Sequence, residues 1–155
     1  MSTSMTDKPF LPPRWFIHAA WRIHRGLYRL TGGRFGLRVP RPDRYGLMRL
    51  ETTGRRSGQA RGVMLAYLEE GDNIVTLAMN GWGTPEPAWW LNLLEEPTAS
   101  LDLVDGPHAV RGRAAEGEER ERLWARWSDL DDKLEAYASR RDAETAVVVF
   151  EPQPA

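Results

Sequence analysis

The chain has 155 residues, 41% of them hydrophobic, and a formal net charge of −1, which suits one small domain with a single core. It contains no cysteine, so disulfides, iron–sulfur clusters, thiolate nucleophiles and most structural zinc sites are excluded, and redox chemistry has to come from a cofactor. Its three histidines, His18, His24 and His108, are too scattered for a metal triad or a Ser-His-Asp hydrolase.

The first residues, MSTSMTDKPFLPPR, lack the charged start and apolar run of a signal peptide, and no apolar stretch reaches the roughly 18 residues that cross a bilayer. The chain therefore reads as cytoplasmic. Between Asp7 and Asp43 there is no acidic residue but eight basic ones, whereas from Asp43 onward thirteen basic residues face twenty-one acidic. Within this basic arm Trp15, Phe16, Ala19, Ile23, Leu27 and Leu30 recur at helical spacing with arginines on the other faces, which predicts an amphipathic helix. Such a helix packs on the body or across a homodimer seam, or lies on an anionic membrane surface at the inner face of the cell membrane. With an acidic body and no nucleic-acid motif, nucleic acid is not an expected partner.

Short apolar runs then predict strands near 46–53, 60–69, 73–79, 99–104, 108–114 and 145–150, with Glu70-Gly71-Asp72 and Asp105-Gly106-Pro107 as antiparallel hairpin turns. A helix is predicted at 85–96, with Thr84 as N-cap, Pro85 at the first helical position, Glu86 in the first turn and Pro97 as the stop. A second, long helix at 116–139 sets Leu123, Trp127, Leu130, Leu134 and Tyr137 along one face, as a helix covering a barrel face or cleft would. The fold class expected is α+β: a mostly antiparallel six-stranded barrel over 45–155, preceded by the arm at 1–44.

The densest chemistry lies in TTGRRSGQAR at 52–61. Gly54 and Gly58 are expected to supply positive φ and close backbone approach, while Arg55, Arg56 and Arg61 offer planar, always-charged forks that match phosphate or carboxylate oxygens. A solvated hairpin turn carrying basic residues fits the same spacing, and the loop alone leaves both readings open.

TTGRRSGQAR, LAMNG at 77–81, PAWWLNL at 87–93 with Pro97 after it, and VVVFEP at 147–152 together resemble, in this order, the deazaflavin-dependent nitroreductase and quinone reductase family, relatives of the flavin-binding split β-barrel proteins. The resemblance runs from about residue 45 to the C-terminus and implies a split β-barrel that uses coenzyme F420, an 8-hydroxy-5-deazaflavin whose tail carries a phosphate and a glutamate chain. It implies that Arg55, Arg56, Ser57 and Arg61 hold the anionic tail. Met64, Leu65, Ala78, Met79, Asn80, Gly81, Ala88, Trp89 and Asn92 match positions near the ring. Tyr137 matches a tyrosine that lines the acceptor pocket and positions or protonates substrate, a role open to a phenol. Trp89 and Trp90 also suit core packing. Asn92 has poor helix propensity, and its amide both donates and accepts, as a ring with carbonyl and N–H edges requires.

The chain departs from the nitroimidazole-reducing pattern: Asp131 and Leu134 stand where further tyrosines occur, Asn80 replaces a basic residue, and Trp82 a commonly small one. The function expected is hydride transfer from the reduced deazaflavin to a small, lipophilic, electron-poor acceptor such as a quinone, enone or nitroaromatic. The alternatives are a non-catalytic deazaflavin carrier or sensor, and a split-barrel protein using FMN or a haem-like ligand.

Overall fold

The computed structural model describes residues 36–79, 85–141 and 143–154. The predicted helix of the arm, and Asn80, Gly81, Trp82 and Thr84, lie outside them.

Six strands, β1 (Gly46–Thr53), β2 (Ala60–Glu70), β3 (Asn73–Leu77), β4 (Thr98–Leu103), β5 (Gly106–Ala114) and β6 (Val147–Pro152), close a barrel in the order β1-β2-β3-β6-β5-β4. Every pairing is antiparallel, including the β1–β4 contact that closes the ring. The expected α+β barrel is therefore the observed one. In β6 the run Val147, Val148, Val149 and Phe150 is buried throughout because each face has its own cover. Val148 and Phe150 join the inner core with Met48, Leu50, Tyr67 and Leu101, while Val147 and Val149 join an outer layer with Leu123, Trp127 and Leu134. A strand covered on both sides reads as a continuous apolar run, not as an alternation.

The helices are α1 (Ala88–Glu95), α2 (Gly117–Leu130) and α3 (Leu134–Ala138). Helix α1 starts later than predicted. Pro87 is its N-cap, with extended backbone at φ −63° and ψ 143°, and a residue that precedes a proline is pushed out of the helical region, which keeps Glu86 out of the first turn. The single helix predicted at 116–139 is two. Asp131 has φ −135° and ψ 99°, and its Oδ1 accepts a hydrogen bond from the Lys133 N–H at 3.0 Å, the local side-chain competition that lets aspartate break a helix. Tyr137 thus sits on α3, a separate turn of helix.

Arg38 bridges to Leu47, so the chain ahead of Tyr45 runs alongside the start of β1. Gly46 permits this approach: a Cβ there would lie 2.6 Å from the Tyr67 ring and 2.7 Å from the Arg38 carbonyl oxygen.

Candidate functional site

The antiparallel registers bring the end of β1, the start of β2, the end of β3, the start of β4, the end of β5 and the start of β6 to one rim of the barrel. Helix α1 crosses this rim against β1 and β5. Its Trp89, Trp90 and Leu93 belong to the inner core, with the two indoles 6.4 Å apart at 65°, so the helix plugs the barrel mouth. Both tryptophans are buried, and Ala88 is exposed at the helix start.

The β1–β2 loop at this rim is closed by two backbone hydrogen bonds, Gly54 N–H to Gln59 O at 2.7 Å and Gly58 N–H to Gly54 O at 2.8 Å. Ser57 Oγ accepts from the Gln59 N–H at 3.2 Å. Gly58 has φ +69°, the left-handed conformation that favours glycine. Gly54, expected to do the same, is not among the positive-φ glycines. It is needed for space, since a Cβ would lie 2.8 Å from Ser57 Oγ and 3.1 Å from Gln59 O.

Asn92 fastens the loop to α1. Its Oδ1 accepts from both the backbone N–H and the Nη1 of Arg55, each at 3.1 Å, and its Nδ2 donates to Thr52 Oγ1 at 3.1 Å. Asn92 and Thr52 are 4% and 2% exposed, so these bonds form where an unmade one costs about 1–3 kcal/mol. Asparagine, unfavourable inside a helix, is explained here by its two-sided hydrogen bonding. Arg61 faces Thr52 across β1–β2, its stem close to Gly54.

Arg56, Ser57 and Arg61 are exposed and Arg55 half-buried. Among the described residues no carboxylate pairs with any of these three arginines, whereas Arg49, Arg113, Arg120, Arg122, Arg126 and Arg141 each pair with one. Three guanidinium groups, two on the loop and one at the start of β2, with no carboxylate to compensate them, form a surface for an anion carrying several oxygens.

The other expected site residues are dispersed. Met64 and Leu65 point to opposite faces of β2: Leu65 packs on the inner core beside Met48, and Met64, buried, pairs with Arg49 on the outer face. Ala78, just past β3, is wholly buried, donates its N–H to Ala146 O at 2.9 Å and accepts from Arg141 Nη1 at 3.2 Å through its carbonyl. Met79 packs on the outer layer. Tyr137 is half-buried on α3. A second phenol, Tyr67, is pushed up to about 12 by burial first and then by the charges of Glu69 and Asp105. It pairs with Gly46 at the opposite rim, away from the arginine loop.

A cavity of about 300 Å³ opens between α2, α3 and residues 143–145, lined by Trp124, Arg120, Glu121, Glu135, Glu144 and Thr145 among others. Three carboxylates against one arginine, itself paired with Glu144 at 2.5 Å, make it a poor receptor for a polyanion. Among the described residues no group of His, Asp and Glu could hold a metal ion, and no helix is long and apolar enough to cross a membrane.

Sequence reasoning missed Thr52, Arg141, Glu86 and Thr145. Thr52 reads as an ordinary strand residue. Arg141 follows Arg140 at a helix end, a pattern that normally marks a solvated face.

A family described as F420H(2)-dependent quinone reductase matches residues 20–152. The chain belongs to this family. An F420H(2)-dependent quinone reductase of Mycobacterium tuberculosis (strain ATCC 25618 / H37Rv) is 29% identical over 132 residues, covering 83% of this chain and 87% of the relative. Among solved structures, an F420-H2 dependent reductase, FDR-A, is 29% identical with a TM-score of 0.62, covering 74% of this chain and 97% of the other. A structure described as a domain-swapped dimer is 28% identical with a TM-score of 0.65, covering 89% and 98%. As a member of the F420H(2)-dependent quinone reductases, the protein is an oxidoreductase whose coenzyme is F420. When bound, the deazaflavin supplies the hydride, and the chain's own residues bind, orient and shield. The loop fits this coenzyme, since a tail of phosphate and glutamates matches three unpaired arginines.

Proposed function

We propose that the physiological acceptor is a small lipophilic quinone, and that the barrel rim carrying the arginine loop and α1 is where coenzyme and acceptor meet. The single observation behind this reading is the set of Arg55, Arg56 and Arg61, left without carboxylate partners among the described residues at the rim that α1 crosses. Arg55 is pre-aimed by Asn92, so less of its rotamer freedom has to be lost when the coenzyme's tail arrives. Arg56, Arg61 and Ser57 supply further donors from the same loop and the start of β2, each charge-assisted bond contributing about 1.5–3 kcal/mol. Trp89 and Trp90 close the barrel mouth beneath them and keep water out of the core side of the site. Ala78, Asn80, Gly81, Ala88, Trp89 and Asn92 are proposed as the ring-side wall, and Met64, Leu65 and Met79, which point to different faces of the barrel, are left out of it. Tyr137 is proposed to orient or protonate the acceptor. The domain-swapped relative supports a homodimer, and the basic arm supports contact with an anionic membrane from which a quinone could be drawn.

The test is a fluorescence titration of the purified protein with oxidised F420 and, separately, with FMN, followed by turnover of quinones, enones and nitroaromatics with reduced F420. Tight F420 binding with quinone turnover is the expected result. Preference for FMN, or turnover of nitroaromatics alone, would overturn it.

A further inference from the structure

Arg141 is a buried charge that coenzyme binding by the loop does not directly use. Its side chain is fully buried. Nη1 donates to Ala78 O at 3.2 Å and to Thr145 Oγ1 at 2.8 Å, and Nη2 lies 3.0 Å from Glu86 Oε1 as an ion pair without hydrogen-bond geometry. One guanidinium therefore ties together three chain segments that meet at the same rim: the exit of β3 at Ala78, the approach to α1 at Glu86, and the approach to β6 at Thr145. Planar geometry and several donors let an arginine do this where a lysine, with one compact ammonium, cannot reach all three acceptors.

A buried ion pair is a poor device for stability alone, because well-packed apolar residues of the same volume commonly do as well. Its position is the more informative property. Glu86 precedes Pro87, the N-cap of α1, and α1 carries Asn92, whose Oδ1 holds Arg55 by both its backbone and its side chain. The pair also sits at one end of a continuous path: Arg141 to Glu86, Glu86 through Pro87 to α1, α1 through Asn92 to Arg55. Pro87 has a ring-fixed φ, −63° here, which stiffens the backbone step between Glu86 and α1.

We propose that Arg141 is a positioning residue for the coenzyme site: by fixing Glu86 to Ala78 and Thr145 it sets the seat of α1 on the barrel mouth, and through Asn92 the direction of the Arg55 guanidinium. This rests on the reading of the arginine loop as the receptor for the F420 tail. The Arg141 side chain is buried among protein partners, so its effect is expected on coenzyme affinity and not on the hydride step.

The experiment uses the full chain and measures the dissociation constant for oxidised F420 by fluorescence, with thermal unfolding and steady-state kinetics beside it. The variants are Arg141→Met, Arg141→Lys, Glu86→Gln and Thr145→Val, and the control is Leu123→Ala, which destabilises the outer layer under α2 and removes none of the Arg141 partners named above. Arg141→Met is expected to weaken F420 binding about tenfold and Thr145→Val about threefold, with kcat at saturating coenzyme within about twofold of the unaltered protein and partial recovery in Arg141→Lys. Leu123→Ala is expected to lower the unfolding temperature and leave F420 affinity unchanged. Should Arg141→Met not fold, Glu86→Gln and Thr145→Val decide, since Thr145→Val deletes one acceptor at nearly constant shape. Unchanged affinity in those two variants, or an equal loss of affinity in Leu123→Ala, would overturn the inference. Failure of the unaltered protein to bind F420 would instead overturn the cofactor reading, and this inference with it.

Discussion

Two sets of arginines in the barrel differ in what balances their charge. Arg49, Arg113, Arg120, Arg122, Arg126 and Arg141 are each neutralised by a carboxylate within the described fold. Arg55, Arg56 and Arg61 are not, although the body of the chain is acidic overall. In a chain with an excess of carboxylates, three guanidinium groups left unpaired on one short loop and the strand start beside it mark a surface that is completed by something other than the protein. Arg113 shows the contrast most clearly. It is held by both oxygens of Glu119 and by Glu151, its pKa is raised chiefly by the hydrogen bond to Glu119, and Glu119 is in turn held below the usual carboxylate range chiefly by Arg113. That cluster is complete in itself and links β5, α2 and β6.

The comparison is broken most severely by removing the unpaired group. The double change Arg55→Ala and Arg61→Ala is expected to weaken F420 binding by about a hundredfold or more, at roughly 1.5–3 kcal/mol for each lost charge-assisted contact, with the unfolding temperature little altered. Retained affinity in a fluorescence titration would show that the loop does not hold the coenzyme. Asn92→Ala comes next, because it attacks the loop and the fold together: stability is expected to fall by about 1–3 kcal/mol as the acceptor Thr52 Oγ1 and the Arg55 donors lose their partner, and F420 affinity to fall about tenfold. Chemical denaturation and titration on the same sample would separate the two losses, and an effect on stability alone would restrict Asn92 to scaffolding.

Two further changes sharpen the comparison from its other side. Removing residues 1–35 leaves the Arg38–Leu47 bridge in place and is expected to reduce co-sedimentation with anionic vesicles several-fold without altering F420 affinity. Equal sedimentation of both forms would dismiss the membrane contact. Glu119→Gln should have the smallest effect, about 0.5–1 kcal/mol of stability near neutral pH, since the pair is half exposed, and none on coenzyme binding. Its sign with pH is set by the lowered pKa of Glu119. The stabilisation is present above the unfolded-state carboxylate value of about 4.3 and is lost as pH falls through the lower folded value, so the unfolding curves of Glu119→Gln and the unaltered protein should converge on acidification.

Asn92 illustrates how far the candidate site could be read in advance. Its place inside a helix drew attention because asparagine disfavours that position, and the family resemblance set it near the coenzyme ring. Its hydrogen bonds to Thr52 and Arg55 were not, because they span 40 and 37 positions in the chain and depend on how α1 seats in the barrel mouth. The break between α2 and α3 was also missed: apolar residues from Leu123 to Tyr137 keep an approximately helical period, and the Asp131 side chain overrides that period locally.

What the sequence determined by itself was the set of strands, the arginine loop and the family, since these rest on short-range patterns: apolar runs between turn residues, glycines at the loop, and motifs in fixed order. Only the tertiary structure decided which arginines remain unpaired, why Gly54 must be glycine, and that Arg141 lies buried at the rim between Ala78, Glu86 and Thr145. Each of these depends on which groups from distant parts of the chain come within hydrogen-bonding or van der Waals distance, and local periodicity carries no information about that.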